Sequence, residues 1–62
     1  MPIITAEGPP IRDLDKKRDF ARRLTQAAAE VYDLPAETII ILFKDNTPDN
    51  VSVGGVLLVD RK

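Results

Sequence analysis

Cysteine and histidine are both absent from the 62-residue chain. No disulfide can form, and a structural zinc site lacks its usual ligands. Charge of either sign is not in excess: nine basic residues face ten acidic ones, for a net charge of -1. That balance lacks the basic footprint of a nucleic-acid binder. Long apolar runs are missing too. The longest, Ile39 to Phe43, is far too short to span a bilayer. The first residues lack a basic segment followed by an apolar stretch, so no signal peptide is expected and the cytoplasm is the expected location. No repeat, low-complexity segment or linker divides the chain. Residues 1-62 are therefore expected to form a single domain.

Hydrophobic residues are plentiful, at 44%. Even so, the chain is short for a self-sufficient core. An unfolded chain of 6.9 kDa exposes about 10,000 Å², and folding alone is expected to bury about 60% of it. If about 60% of that area is apolar, burial yields roughly 90 kcal/mol at about 25 cal/mol per Å². Ordering the residues opposes this by about 1.5 kcal/mol each, again roughly 90 kcal/mol. With no covalent staple, the usual remedy is subunit association. An obligate homo-oligomer is expected.

The chain opens Met1-Pro2-Ile3-Ile4. Proline after the initiator permits removal of Met1, which leaves Pro2 as a free secondary amine on a rigid ring. An unperturbed α-amino group titrates at about 7.7–8.0. Burial or a nearby cation disfavours its charged form, giving a base suited to work near neutrality. The alternative is a strand-edge proline with no chemical role. Read from these four residues alone, the strand-edge proline is the favoured reading.

Ile3 to Ala6 forms a predicted strand, closed by the breakers Glu7-Gly8-Pro9-Pro10. Asp13 is the expected N-cap of a helix from Leu14 to about Tyr32, with Asp15 in its first turn. Leu14, Ala21, Leu24, Ala28 and Val31 fall on one face at helical spacing, widened by Phe20, Ala27 and Tyr32. Lys16, Lys17, Arg18, Arg22 and Arg23 are interspersed with Asp15, Asp19 and Glu30. Asp19 and Arg23 form an i,i+4 pair in the favourable order, so this reads as a solvated face. Asp33-Leu34-Pro35 ends the helix. Thr38 to Lys44 is a second strand whose near-continuous apolar run fits burial on both faces, as in a parallel pair joined by a crossover helix. A polar loop, Lys44 to Asn50, leads to Val51–Val53, Gly54-Gly55 and Val56–Val59, the signature of a tight hairpin. Asp60-Arg61-Lys62 is a charged tail. The class is α+β: one β-α-β unit with parallel strands plus a C-terminal hairpin. Two strands and one helix leave a sheet face and edges for other copies to cover.

Pro2-Ile3 at the start, Arg12 with Lys16-Lys17 entering the helix, Asp33-x-Pro35 after it and Val53-Gly54-Gly55 near the end resemble the 4-oxalocrotonate tautomerase family. The similarity spans the whole chain. It implies a subunit of this β-α-β-hairpin fold, pairing into dimers with a four-stranded sheet and commonly into hexamers. It implies an N-terminal proline that moves a proton between the carbons of a small unsaturated keto or enol acid, with no metal or organic cofactor. Arg12 matches the position of an arginine that binds a substrate carboxylate, and a guanidinium can grip one in bidentate fashion. Read without the family, Arg12 is a solvated loop residue. Two positions depart from the pattern. The family's second active-site arginine falls on Ile40, and its active-site phenylalanine falls on Val51. Lys44 or Arg61 are candidate replacements for the missing cation. The expected activity is that of an isomerase acting on 2-hydroxydienoates, with the substrate shifted from 2-hydroxymuconate. The alternatives are a non-catalytic self-assembling member, or a proline-dependent hydratase or dehalogenase of unsaturated acids.

Overall fold

The computed structural model describes residues 1–61; Lys62, the last residue of the charged tail, lies outside them. Strand β1 (Ile3–Gly8) runs into helix α1 (Leu14–Tyr32), which returns the chain to strand β2 (Ile40–Asp45). The two strands pair in parallel, with Ile3 opposite Ile40, Ile4 opposite Ile41 and Ala6 opposite Phe43. Strands β3 (Ser52–Val53) and β4 (Val56–Leu57) form the C-terminal hairpin. The α+β class and the β-α-β-hairpin order are as the residue pattern predicts.

The boundaries differ in instructive ways. β1 continues through Glu7 and Gly8, which pair with Lys44 and Asp45. Gly8 carbonyl also accepts from the Asn46 N–H at 2.8 Å. Pro9, which has no N–H to offer, is the residue that ends the ladder. β2 begins two residues later than Thr38. A 3₁₀ turn at Ala36–Thr38 intervenes, and Thr38 spends both its N–H (3.0 Å) and its hydroxyl (2.8 Å) on the Pro35 carbonyl. The hairpin is shorter than its apolar run, because Leu58–Asp60 winds into another 3₁₀ turn.

Helix α1 starts as a capped helix should. The Asp13 carboxylate accepts from the N–H groups of Asp15 (3.0 Å) and Lys16 (3.2 Å), satisfying two otherwise orphaned donors. It stops at Asp33, whose φ of 55° is left-handed and whose N–H bonds back to Ala29 carbonyl. The charged face is laced by local ion pairs. Arg18 meets Asp15 at 2.8 Å, Arg23 meets Asp19 at 2.9 Å, and Arg22 also engages Asp19.

The helix covers the sheet face that carries Ile4, Ala6, Ile41 and Phe43. Phe20 packs on Phe43 with ring centroids 5.7 Å apart. Ala28 is the one buried apolar residue among those described. The opposite sheet face is bare, with Ile3 59% and Leu42 45% exposed. The expectation that β2 is buried on both faces therefore fails within one copy. The hairpin packs chiefly against the 3₁₀ turns that flank it, and the chain measures 44 × 24 × 13 Å. Its radius of gyration of 15.0 Å compares with about 10.6 Å for a compact domain of this length. Its surface is 5034 Å², against about 4,000 Å² for a compact monomer of this mass.

Candidate active site

Pro2 sits at the start of β1, half-buried, with exposed Met1 still attached to its nitrogen. Its carbonyl accepts from the Ile40 N–H at 3.0 Å. Ile40 is therefore a direct neighbour of Pro2, held there by the first rung of the parallel ladder. The segment that leads into this rung, Pro35 to Ile39, is ordered by the 3₁₀ turn described above.

Arg12 lies at the other end of the subunit. It follows β1, exposed, one residue before the helix cap. Six residues of strand separate it from Pro2, on the order of 20 Å at about 3.3 Å per residue. Val51 is half-buried at the base of the hairpin, where its carbonyl accepts from the Leu58 N–H at 2.8 Å. One copy thus brings Pro2 and Ile40 together and does not bring Arg12 to them. Lys44 stands at the far end of β2, opposite Glu7, and Arg61 follows the last 3₁₀ turn. Neither is placed on the Pro2 rung.

Charge is segregated along the subunit. No lysine or arginine occurs from Met1 to Ile11 or from Leu24 to Phe43. Those stretches supply β1, the C-terminal half of α1 and most of β2, and they include Ile40, the neighbour of Pro2 across the ladder. Their acidic members at this end are Glu30, Asp33 and Glu37. The last turn of α1 carries no basic residue. This partition was visible as a simple count along the chain, and motif reasoning passed over it.

Two hollows flank the helix. One, of about 240 Å³, is lined by Gly8, Pro9, Ile11, Phe20, Phe43 and Lys44, among others, at the Arg12 end. Lys17 Nζ stands 5.2 Å from the Phe43 ring centre and 3.8 Å from Asp45. The other, also about 240 Å³, is lined by Ile4, Leu24, Ala27, Ala28, Val31 and Tyr32. Neither is lined by Pro2, Arg12, Ile40 or Val51.

A parallel β-α-β unit with a C-terminal hairpin, and a proline at the lip of its first strand, defines a class of small α+β proteins. The family model described as tautomerase enzyme matches residues 2–61, and the chain belongs to the tautomerase family. DmpI from Archaeoglobus fulgidus is 42% identical, with 95% of this chain and 100% of that one covered at a TM-score of 0.82. A 4-oxalocrotonate tautomerase homologue is 29% identical, with 100% and 98% covered at a TM-score of 0.88. The heterohexameric 4-oxalocrotonate tautomerase of Chloroflexus aurantiacus, 24% identical, shares the fold at a TM-score of 0.83 over 100% of both chains. No curated protein matches the chain.

Proposed function

We propose that the protein is a cofactor-independent isomerase of 2-hydroxydienoate-type acids, with Pro2 as the general base once Met1 is removed. One observation carries the proposal. In a chain of this family, Pro2 stands ahead of the first strand, fixed by the bond from Ile40 N–H to its own carbonyl. Only the Met1 residue blocks its nitrogen, and that residue is 85% exposed. Its removal would free a secondary amine without disturbing the ladder.

In this reading the amine accepts the proton of the 2-hydroxyl, and a proton is delivered to a carbon further along the conjugated chain. The product is the α,β-unsaturated ketone, and no oxidant or second reactant is needed. Arg12 holds the substrate carboxylate. It does so from a neighbouring copy, because its own Pro2 is on the order of 20 Å away along β1. Assembly is therefore part of the proposal, with dimers as building blocks and a hexamer as the expected particle. Val51 forms part of the apolar wall in place of a phenylalanine. Mass-verified, Met-free protein should ketonise a 2-hydroxydienoate, and Pro2→Ala should lose most of that rate. Equal rates for the two proteins would dismiss Pro2 as the base.

The charge partition favours a second reading. No lysine or arginine occurs in the stretches that carry Pro2, the end of α1 and the Ile40 rung, so nothing within those stretches disfavours the ammonium form of the amine. A protonated Pro2 would act as an acid, as in the hydration or dehalogenation of an unsaturated acid. Ketonisation by the base should strengthen as pH rises through the amine's titration; chemistry that needs the ammonium should weaken over the same range.

A further inference from the structure

Resting on the isomerase reading above, we propose that Asn46 is a positioning residue for Arg12: its side chain braces the short arch from which the guanidinium projects. Arg12 lies on the stretch from Pro9 to Asp13 that joins β1 to α1. Little in that arch is free to turn. Pro9 and Pro10 have φ held at about -65°, and each restricts the residue before it. Asp13 fixes the far end through its two capping bonds. An arch this stiff passes the placement of its ends on to Arg12.

Both ends of the arch rest on one piece of chain, the end of β2. At the near end, Asn46 N–H donates to Gly8 carbonyl at 2.8 Å, and Asn46 Nδ2 donates to Glu7 Oε2, also at 2.8 Å. Glu7 and Gly8 are the last two residues of β1 before the arch. At the far end, Lys17 N–H closes the first helical turn onto Asp13 carbonyl at 3.0 Å. The Lys17 ammonium reaches back to Asp45 at 3.8 Å and to the Phe43 ring at 5.2 Å. The two braces differ in strength. A partly exposed ion pair of that length contributes little, whereas the Asn46 amide meets a carboxylate at full hydrogen-bond distance. The strand ladder does not require this second bond. Backbone pairing already joins Glu7 to Lys44, and the Asn46 N–H already extends the pairing to Gly8. What the side chain adds is a fixed departure for the chain that leads to Arg12.

A guanidinium that grips a carboxylate holds substrate and transition state alike, so misplacing it should raise KM and leave kcat near its parent value. The probe is 2-hydroxyhexa-2,4-dienoate, assayed on Met-free protein whose folding is verified by circular dichroism. Asn46→Ala should raise KM about fivefold, the fold-change that one hydrogen bond supplies. Glu7→Ala removes the same bond from the other side and should match it, and the double variant should go no further. Glu7→Gln keeps an acceptor oxygen and should retain the wild-type KM. Against an Arg12→Ala background, Asn46→Ala should change kcat/KM no further, because the residue through which it acts is gone. A further loss in that background would mark a general structural effect and overturn the inference. So would an unchanged KM in Asn46→Ala and Glu7→Ala, or a fall in kcat at constant KM; each of these outcomes leaves the isomerase reading standing. A folded, Met-free wild type that turns over no 2-hydroxydienoate overturns the isomerase reading and the inference with it. Because the bond can be cut from either partner, one variant that fails to fold leaves the other to decide.

Discussion

The bare face of the sheet makes a quantitative prediction. Ile3 and Leu42 are 59% and 45% exposed in one copy, and full burial of such a side chain contributes about 1.5–3 kcal/mol. Covering what remains exposed is therefore worth about 1.5 kcal/mol for Ile3 and about 1 kcal/mol for Leu42. If neighbouring copies cover this face, the double variant Ile3→Ala/Leu42→Ala forfeits about 2.5 kcal/mol per copy, or about 5 per pair. At about 1.4 kcal/mol per tenfold, the dissociation constant rises several thousandfold. The excess surface agrees in scale. Some 1,000 Å² per copy beyond a compact monomer matches the roughly 800 Å² that each partner contributes to a standard interface. Sedimentation velocity across a range of protein concentrations measures the shift, and the thermal midpoint of the wild type should rise with concentration. A wild-type species of one chain that unfolds cooperatively at a concentration-independent temperature would refute the reasoning. So would a double variant that assembles as tightly as the parent.

Other expectations follow from local geometry and can be read by denaturant unfolding. Asp13→Ala removes the acceptor of two N–H groups and should lower stability by about 1 kcal/mol. Asp33 has a left-handed φ of 55°, so Asp33→Ala should lose about 1 kcal/mol while Asp33→Gly should not; equal effects would argue against backbone strain. Gly54 and Gly55 both have positive φ, 61° and 86°, and a Cβ at either meets no atom within 4 Å. Gly54→Ala should therefore act through backbone conformation alone, by about 1 kcal/mol, and hydrogen exchange should show faster opening confined to residues 51–60. Phe43→Ala removes the ring that packs at a tilt against Phe20 and, at a half-buried site, should lose about 2 kcal/mol, below the fully buried range of about 3–5.

Much of this architecture was legible in the residue pattern because its signals are local. The 3.6-residue spacing from Leu14 to Val31 and the Asp13 cap define the helix, and Gly54-Gly55 defines the turn of the hairpin. Where the reading slipped, a competing hydrogen bond decided. Thr38 looks like a strand residue by its β-branching, yet Pro35 carbonyl claims both its donors. Glu7 and Gly8 look like breakers, yet the pairing with Lys44 and Asp45 carries the strand through them. The run Ile39 to Phe43 advertises two covered faces, and one copy covers only one. The candidate site was legible in its parts and not in its arrangement. Pro2 and Ile40 lie 38 positions apart and meet only through parallel register, while Arg12 is near Pro2 in sequence and far from it in space.

That separation has a genetic consequence. Under the proposed assignment, each catalytic centre draws its ring nitrogen from one molecule and its guanidinium from another. Two dead alleles, Pro2→Ala and Arg12→Ala, would then rescue each other when co-expressed, because some mixed particles would contain a centre with both intact groups. Either allele alone would yield none.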